Sequence, residues 1–482
     1  MEDLRKKIPV HLGLFGHIDS GKTAVASVLS EIISTAGIDA HPQSKERGIT
    51  IDLGFTSFIL DDYLITLVDG PGHADLIKIS ASSVDIIDCA LIVIDINKGP
   101  QVQTGEHLIM IESLGIKDII VILNKIDLFK GDIKEEIKKI QEFFKSTSFG
   151  GKIPIILVSA KEKKGFEELK KSVLNKIKAL EIKRDTTGAL IMPIDHYFLI
   201  KGRGTVITGT ILKGSIKIND KIEIIPNDMV GRVKSIQIFH QDVEKAEAGD
   251  RVGINIKGVD IKKIFRGCYA TTDKKSFNQA EIIEVKVKKN SLFKPKTYFG
   301  MQVHVTIGMF STVGHIYPYK MLNGKKIQLD VIDKETEFYA FIWLKEKVLI
   351  YLRKTKILIS RLDLPPTTLR ILGSAEILNT VEGPPILYRF KIKKGIIQNP
   401  NHPQGIICTG LAQSLIGAKK IIGKKLEPPF TEILGHFGTK GAVIIGLSPD
   451  SKKKGLKIEK GDQVILKELR SFKLKRKKDL YS

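Results

Sequence analysis

Hydrophobic and polar positions follow one pattern in the first part of the chain and another pattern in the rest. Apolar runs at residues 12–15, 89–94 and 119–123 alternate with stretches of helical character, such as residues 104–114. Alternating strands and helices predict a mainly parallel sheet with helices on both faces and ligands at the carboxyl ends of the strands. After residue 187 only short β-branched runs remain, separated by Gly, Asn and Asp turns, which predicts small β-barrels.

The apolar run at residues 12–15 leads into a Gly-x-x-x-x-Gly-Lys-Thr loop, and a helix begins where that loop ends. Such a loop turns backbone N–H groups toward a phosphate, and glycine lets the main chain approach it closely. Lys22 is expected between the β- and γ-phosphates, and the Thr23 hydroxyl is expected on Mg²⁺. The residues of this segment that we expect to bind the nucleotide are Gly16, His17, Asp19, Ser20, Gly21, Lys22, Thr23 and Ala24.

Two later polar segments offer the groups that a nucleotide-dependent switch needs. Thr50 supplies a hydroxyl that can act as a second Mg²⁺ ligand and respond to the γ-phosphate. Asp69 ends an apolar strand and can hold a Mg²⁺-bound water, while the N–H of Gly72 can reach the γ-phosphate. His73 then lies beside the position of an attacking water, which makes it the candidate catalytic residue.

The sequence Asn124-Lys125-Ile126-Asp127 indicates which base is bound. Guanine presents two adjacent donors, N1–H and the 2-amino group, and the Asp127 carboxylate can accept from both, whereas adenine would leave that carboxylate unpaired. Lys125 can cover the base plane, and Asn124 can brace the loop. Backbone N–H groups that can reach guanine O6 follow the last strand, at Ser159, Ala160 and Lys161. These motifs together predict a GTPase with GTP and Mg²⁺ as its cofactors.

The composition indicates the compartment and the class of partner. The formal net charge is +23, which favours nucleic acid or an anionic membrane, although a solvated lysine-rich surface would give the same count. Cys89, Cys268 and Cys408 lack zinc or redox spacing, which indicates a reducing compartment. The N-terminus has no apolar signal core, and no apolar run reaches membrane-spanning length. We therefore expect a cytoplasmic protein with no membrane partner, which binds RNA or DNA.

These patterns predict a multidomain α/β plus all-β fold, in which a P-loop GTPase domain precedes three small β-barrels. The predicted domains are residues 1–180, 181–270, 271–380 and 381–482, the first being the GTP-binding domain and the last a basic barrel with a lysine-rich tail. The lysines that make the last domain basic are Lys391, Lys393, Lys394, Lys419, Lys420, Lys424, Lys425 and those of residues 473–478. A solvated face with a disordered tail is one interpretation, and a surface that binds RNA is the one we favour.

Several motifs resemble the loops of the translational GTPases, namely residues 16–23, 47–50 and 69–73. Ser20 departs from that family, because many members carry histidine there. The two barrels after the GTP-binding domain resemble those of elongation factor Tu, with a close match at residues 201–209. The stretch at residues 43–55, together with a fourth domain, resembles the SelB family of selenocysteine-specific elongation factors. The resemblance is closest to the archaeal and eukaryotic type, whose fourth domain is a small barrel, because the sequence lacks the winged-helix pattern of the bacterial type.

The resemblance assigns roles to further residues. It implies that His73 orients or activates the attacking water, and that Ile18 and Ile49 form an apolar gate until the ribosome engages. It also implies an aminoacyl pocket between the GTP-binding domain and the first barrel, formed by Asp195, His196 and Arg251. Selenocysteine carries an anion because a selenol is more acidic than a thiol, whose pKa is about 8.5. A cationic pocket would therefore select it over serine and cysteine.

The resemblance implies a monomeric elongation factor that binds selenocysteinyl-tRNA with GTP, delivers it to the ribosome at a recoded UGA codon and hydrolyses GTP. A selenocysteine insertion hairpin in the mRNA would be a further partner, either directly or through an adaptor protein. Two alternatives stay open at this point. One is an initiator-tRNA GTPase like the gamma subunit of initiation factor 2, and the other is an RNA-binding scaffold that senses the nucleotide without catalysis.

Overall fold

The computed structural model describes residues 6–30, 32–33, 54–70, 86–145, 147–200, 202, 204–351, 356–365, 367–449 and 457–476. Four residues with predicted roles, Ile49, Thr50, Gly72 and His73, lie outside these ranges. The chain forms two compact units: the first comprises residues 1–318, 330–383 and 476–482, and the second comprises residues 319–329 and 384–475. No helix in the described ranges is long and apolar enough to cross a membrane.

The first unit begins with a seven-stranded sheet in the order β2-β3-β4-β1-β5-β6-β7. Its strands are β1 (Ile8–Phe15), β2 (Ile32–Ile33), β3 (Gly54–Leu60), β4 (Tyr63–Asp69), β5 (Cys89–Asp95), β6 (Ile119–Asn124) and β7 (Ile155–Leu157). The central pairs β4–β1, β1–β5, β5–β6 and β6–β7 are parallel, whereas β2–β3 and β3–β4 are antiparallel. The mainly parallel sheet that the sequence predicts is confirmed, with an antiparallel edge.

In the described part of this domain, four helices cover the two faces of the sheet: α1 (Lys22–Leu29), α2 (Val102–Leu114), α3 (Ile133–Lys145) and α4 (Phe166–Ala179). Successive strand residues point to opposite faces. Ile92 of β5 accordingly packs in one apolar cluster with residues of α2 and α3. Its neighbour Leu91 packs in the other cluster with residues of α1 and α4. Strand β5 is buried along its whole length, as a parallel strand covered on both faces should be.

The rest of the first unit is β-rich and follows the predicted turn pattern. One antiparallel sheet has the order β8-β17-β12-β13-β16-β10-β9, and its interior holds mainly Ile, Val and Ala side chains. Its strands are β8 (Ile191–Pro193), β9 (His196–Ile200), β10 (Gly204–Thr210), β12 (Lys221–Ile225), β13 (Met229–Ile238), β16 (Arg251–Lys257) and β17 (Tyr269–Thr271), with β14 (Gln241–Val243) paired to β13. The strands β11 (Ser215–Lys217) and β15 (Lys245–Glu247) form a separate two-stranded sheet. The next strands are β18 (Phe277–Lys289), β19 (Thr297–Tyr298), β20 (Met301–Ile307), β21 (Phe310–Leu322), β22 (Lys325–Gln328), β23 (Val331–Ile332), β24 (Glu337–Tyr351), β25 (Lys356–Ser360) and β26 (Ile371–Val381). The predicted fold class, a GTPase domain followed by β-rich domains, is confirmed.

The second unit has its own apolar core, which includes Ile397, Cys408, Phe430 and Val464. Its elements are β22, β27 (Ile386–Asn399), β28 (Ile406–Thr409), α5 (Leu415–Lys419), β29 (Phe430–Phe437), β30 (Ala442–Leu447) and β31 (Gln463–Lys473). The strand order is β22-β27-β28-β30-β29, and β31 pairs with β27. The unit therefore includes a segment, residues 319–329, that lies inside the third predicted domain in sequence.

A buried ion pair joins helix α2 of the GTP-binding domain to the start of β26. The Arg370 guanidinium donates to both carboxylate oxygens of Glu106, with Nε 3.0 Å from Oε1 and Nη2 2.9 Å from Oε2. The backbone N–H of Arg370 also donates to Oε1, at 3.0 Å. Both side chains are almost completely buried, at 1 % and 0 % exposure. A pair of this kind fixes the position of α2 because neither charge can return to water without separating the domains.

Arg370→Met is expected to lower the free energy of unfolding by about 3–5 kcal/mol, since it leaves the Glu106 carboxylate buried without its cation. Urea denaturation measures the change. The double variant Glu106→Gln, Arg370→Met removes both charges and should recover part of the loss. A loss of about 1 kcal/mol or less, the range of exposed ion pairs, would show that the two charges are solvated in the protein.

Candidate functional site

The loop between β1 and α1 has a backbone path that only glycine allows at two positions. Gly16 and Gly21 have φ angles of +145° and +92°. A Cβ on Gly16 would lie 2.2 Å from the carbonyl oxygen of Val93, and a Cβ on Gly21 would lie 2.2 Å from Nδ2 of Asn124. The loop is therefore pressed against the ends of β5 and β6.

Lys22 points back into this loop. Its Nζ donates to the carbonyl oxygens of Gly16 at 3.1 Å and His17 at 2.9 Å. Burial lowers the pKa of Lys22, while the nearby charges of Asp69 and Asp19 oppose that shift. The Oγ of Ser20 is also buried and has no hydrogen-bond partner in the part of the chain that the structure describes. A buried ammonium and an unpaired buried hydroxyl inside one glycine loop fit the oxygens of a phosphate.

Thr23 and Asp69 bring two oxygen ligands together at the carboxyl end of β4. The Thr23 hydroxyl donates to Oδ2 of Asp69 at 2.9 Å, and Asp69 is fully buried. Hydroxyl and carboxylate oxygens are ligands that Mg²⁺ accepts. The described residues include no group of three or more His, Cys, Asp or Glu side chains that could hold a metal ion. Thr23 and Asp69 are the two oxygen-bearing side chains that the geometry brings together here.

Helix α2 contacts the loop between β1 and α1, here called the phosphate loop, through two side chains one turn apart. The backbone N–H of Gly16 donates to Nδ1 of His107 at 3.2 Å, and the N–H of Ile18 donates to Oε1 of Gln103 at 3.3 Å. Burial, with the charges of Lys22 and His17, lowers the pKa of His107 to about 3, so the ring is neutral and Nδ1 can accept. The sequence analysis missed both side chains, although their i, i+4 spacing places them on one helix face.

Asn124 connects the phosphate loop to the loop after β7. Its Nδ2 donates to the carbonyl oxygen of Ser20 at 3.0 Å, and its Oδ1 accepts from the N–H of Ala160 at 3.1 Å. Both ends of the amide are thus used to hold two loops, which corresponds to the bracing role expected for this residue. Lys161 lies beside this contact and is exposed.

Lys125 and Asp127 lie on the next turn of the chain. Lys125 has a φ of +67°, and its Nζ contacts the carbonyl oxygen of Asp19 at 2.6 Å and the Asp95 carboxylate at 2.9 Å. The Asp127 carboxylate is half-buried and accepts at Oδ1 from the Ser159 hydroxyl, at 2.6 Å. The structure therefore brings the expected base-recognition residues to one edge of the sheet.

A second polar site lies in the first β-rich sheet, around a buried carboxylate. Arg251 binds Asp195 in a bidentate manner, with Nη1 2.6 Å from Oδ2 and Nη2 3.2 Å from Oδ1. His196 Nδ1 lies 3.0 Å from Asp195 Oδ1, and the Thr208 hydroxyl donates to the same oxygen at 2.6 Å. Asp195, His196 and Arg251 are therefore brought together, as the sequence analysis expected.

Electrostatics favour the charged form of Asp195. Burial would raise its pKa, but the attraction of Arg251 and the hydrogen bonds from His196 and Arg251 outweigh burial and hold the pKa well below the usual range. The Asp195 side chain is completely buried, whereas that of His196 is 23 % exposed. The imidazole is thus the part of the cluster that solvent, or a ligand, can reach.

The aromatic ring of Phe55 completes this cluster from the GTP-binding domain. The Cζ of Arg251 lies 3.2 Å from the centroid of the Phe55 ring, in a cation–π contact. The His196 ring meets Phe55 edge to face, with centroids 6.0 Å apart. The sequence analysis missed Phe55 and Thr208 as members of this site, because a lone aromatic residue in a strand is usually a core residue. Phe55 is the last residue of the stretch at residues 43–55 that resembles the SelB family. Its place in that stretch is the one feature of the sequence that could have indicated a role in this site.

Three family models match successive parts of the chain. They are the elongation factor Tu GTP binding domain at residues 7–179, elongation factor Tu domain 2 at residues 204–271, and the archaeal selenocysteine-specific elongation factor domain III at residues 278–380.

Two relatives are selenocysteine-specific elongation factors. The protein from Methanocaldococcus jannaschii is 43 % identical over 475 residues, which cover 96 % of this chain and 98 % of the relative. The protein from Mus musculus is 38 % identical over 335 residues, which cover 64 % of this chain and 56 % of the relative.

Solved structures show the same similarity. Elongation factor SelB from Methanococcus maripaludis, in complex with the GTP analogue GppNHp, matches with a TM-score of 0.79 and 38 % identity, covering 96 % of this chain and 99 % of the relative. A bacterial selenocysteine-specific elongation factor matches with a TM-score of 0.64 and 27 % identity, covering 77 % of this chain and 58 % of the relative.

Proposed function

Because this chain belongs to the family of selenocysteine-specific elongation factors, which are translational GTPases, we propose that it delivers selenocysteinyl-tRNA to the ribosome. In this proposal it binds that tRNA together with GTP, reaches a recoded UGA codon and hydrolyses GTP to GDP and phosphate. The observation that carries the proposal is the buried Asp195–Arg251 pair, with His196 beside it and Phe55 above it. The two alternatives that the sequence leaves open are not favoured by these relatives.

The pocket chemistry supports an anionic aminoacyl group. A serine or cysteine ester is largely neutral, whereas a selenocysteine ester carries a selenolate, so a cation at the pocket distinguishes them. Asp195 holds the guanidinium of Arg251 in place, and the partly exposed His196 would contact the ligand. The three side chains would thus select the ligand by its charge and not by its size.

A protection assay tests this function. Selenocysteinyl-, seryl- and cysteinyl-tRNA are each incubated with the protein and GTP, and the rate of ester hydrolysis is measured. We expect protection of the selenocysteinyl ester at protein concentrations that leave the other two unprotected. Initiator methionyl-tRNA serves as the control for the initiation-factor alternative, and equal protection of all four would contradict the proposal.

For GTP, we propose that the residues of the loop and of the base-recognition edge described above bind the phosphates and the guanine. Thr23, Thr50 and Asp69 would hold Mg²⁺, directly or through water, and the bound metal would neutralise phosphate charge. Lys22 would leave its carbonyl contacts for the phosphate oxygens, because an ammonium forms stronger hydrogen bonds with an anion than with neutral carbonyls. Gly72 would donate its N–H to the γ-phosphate.

His73→Ala is expected to reduce ribosome-stimulated GTP hydrolysis by roughly 10²-fold or more, the scale of a lost acid–base group. The proposed reason is that His73 orients or activates the attacking water once the gate of Ile18 and Ile49 opens. Turnover is measured with and without ribosomes, and GTP and tRNA affinities should stay unchanged. Stimulated turnover at the normal rate would remove His73 from the mechanism, and no stimulation of the unaltered protein would favour the scaffold alternative.

The partners and boundaries complete the proposal. The fourth domain, residues 381–482, would contact a selenocysteine insertion hairpin directly or through an adaptor protein, and the factor would act in the cytoplasm as a monomer. Domains 1–180, 181–270 and 271–380 would form the part that binds GTP and the aminoacyl end, since the described side chains of both sites belong to the first unit.

A further inference from the structure

Two arginines face each other on the ribbon that β27 and β31 form in the second unit. The antiparallel register places Arg389 directly opposite Arg470, so both side chains lie on the same face of the ribbon. Like charges in directly opposite positions destabilise a sheet. An arrangement of this kind becomes favourable when an anion lies between the two guanidinium groups.

Glu468 is the carboxylate that contacts Arg470, and it is shared with lysines. Arg470 contacts Glu468 at 3.0 Å, but Lys393 contacts the same carboxylate at 3.5 Å, and Lys424 also pairs with it. These cations lower the pKa of Glu468 to about 2, chiefly through the hydrogen bond from Lys424, although burial of the carboxylate opposes the shift. Within the described chain, neither Arg389 nor Lys391 forms an ion pair, although Lys391 stands opposite Glu468. The Glu468 carboxylate thus shares one face of the ribbon with Arg389, Lys391, Lys393 and Arg470, and it also pairs with Lys424.

A cavity that can admit a phosphate group lies against the two arginines. Its volume is about 400 Å³, and its lining residues are Arg389, Phe390, Lys391, Arg470, Ser471 and Phe472. The Cζ of Arg389 lies 5.2 Å from the centroid of the Phe472 ring, and this contact orients the guanidinium on an exposed strand. The Arg470 side chain is 54 % exposed, so a ligand can reach it from solvent.

We propose that Arg389 and Arg470 together bind a backbone phosphate of an RNA strand. The planar guanidinium groups match two phosphate oxygens each, which a lysine cannot do. An acidic peptide would bring carboxylates spaced along a flexible chain, whereas the register places two arginines directly opposite each other, where one tetrahedral anion can bridge them. The proposal rests on the proposed function, because that function makes RNA the macromolecule that the protein handles.

The double variant Arg389→Gln, Arg470→Gln in the full-length protein tests the site, with binding of a short fluorescent oligouridylate and of a deacylated tRNA transcript as readouts. We expect the affinity to fall about tenfold, the loss that charge-assisted hydrogen bonds of one phosphate would cause. The slope of log affinity against log salt concentration should fall by about 0.7, the value for one phosphate contact on a single strand.

A matched control removes two charges from the other face of the same two strands. Lys394 and Lys473 are exposed and stand on that face by the same register, so Lys394→Gln, Lys473→Gln changes the net charge equally. We expect this control to weaken RNA binding less than the arginine variant does, because its two lysines contribute only general positive charge to the basic domain. Equal weakening in both double variants, or no weakening in the arginine variant, would overturn the proposal.

Two further arms identify the ligand chemistry. Arg389→Lys, Arg470→Lys keeps both positive charges but loses the planar guanidinium groups, each of which can donate two hydrogen bonds to one phosphate. Full RNA affinity in that variant would contradict the site as we describe it. Polyglutamate should compete poorly, and competition equal to that of RNA would also contradict it. If the arginine double variant loses affinity for oligouridylate, the phosphate belongs to an unpaired strand such as mRNA. If it loses affinity only for the tRNA transcript, the phosphate belongs to folded tRNA.

The failure of this site and the failure of the proposed function have different signatures. The preference for selenocysteinyl- over seryl-tRNA depends on the aminoacyl pocket, since both tRNAs offer the same kind of phosphate backbone. The arginine double variant should therefore keep that preference and its GTP hydrolysis. A protein that keeps the preference but shows no effect of Arg389 and Arg470 on RNA affinity would refute this inference alone.

Discussion

Asp127→Asn should shift the preference between GTP and xanthosine triphosphate by about 10⁴-fold, the discrimination of a site whose buried polar groups lose their partners. The Ser159 hydroxyl donates to Oδ1 of Asp127 at 2.6 Å. An asparagine would keep its amide oxygen at that position, because the hydroxyl needs an acceptor. Its NH₂ group would then replace Oδ2, where the guanine 2-amino group is also a donor. Xanthine has an oxygen at that carbon and can accept from the amide.

Nucleotide titrations with GTP and xanthosine triphosphate measure the shift. Ser159→Ala is the matched control, since it removes the hydroxyl that orients Asp127 and leaves the carboxylate in place. We expect a smaller loss of GTP affinity in that variant and no gain for xanthosine triphosphate. An Asp127→Asn protein with unchanged GTP affinity would place the base elsewhere.

Arg251→Ala should weaken selenocysteinyl-tRNA binding much more than seryl-tRNA binding. Loss of one partner of a desolvated charge pair costs about 2–5 kcal/mol, which is roughly 30-fold or more in affinity. The seryl ester is neutral and forms no such pair. Arg251→Lys should restore only part of the preference, because a point charge replaces the planar fork that holds both Asp195 oxygens.

Arg266→Ala provides the matched control for this prediction. Arg266 also reaches Asp195, but its Nη2 contacts the carbonyl oxygen at 3.5 Å and not the carboxylate. Its removal should leave the ratio of the two tRNA affinities unchanged. Lowering the pH below the selenol pKa should reduce the preference of the unaltered protein, because the ligand then becomes neutral. Equal losses for both tRNAs in Arg251→Ala would mean that Arg251 stabilises the sheet or contacts the tRNA backbone.

The periodicity of the sequence predicts the GTP-binding domain well, because strand ends and glycine positions are local properties. The alternation around β5 and β6 indicates a sheet covered on both faces, and the polar residues at the strand ends meet at one edge. The association of Asp195, His196 and Arg251 was reached only through the family resemblance. Their spacing alone fits an ordinary ion pair between strands.

Other features depend on contacts between residues far apart in sequence. Glu106 and Arg370 are 264 positions apart, and nothing near either residue indicates the other. Segment 319–329 joins the second unit although its sequence continues the preceding β-rich pattern. The Phe55–Arg251 contact likewise joins two domains, and a strand phenylalanine is most often an ordinary core residue. Such pairings follow from how the domains pack, which a one-dimensional pattern does not contain.

The position of Phe55 has a thermodynamic consequence. In the pairing of β3 with β4, Gly54 stands opposite Asp69, so the residue before Phe55 lies next to a proposed Mg²⁺ ligand. The ring itself covers Arg251, in the other domain. If GTP and the charged tRNA bind at these two proposed sites, any coupling between the two binding equilibria is reciprocal. Whatever factor GTP contributes to the affinity for the charged tRNA, the charged tRNA must contribute the same factor to the affinity for GTP.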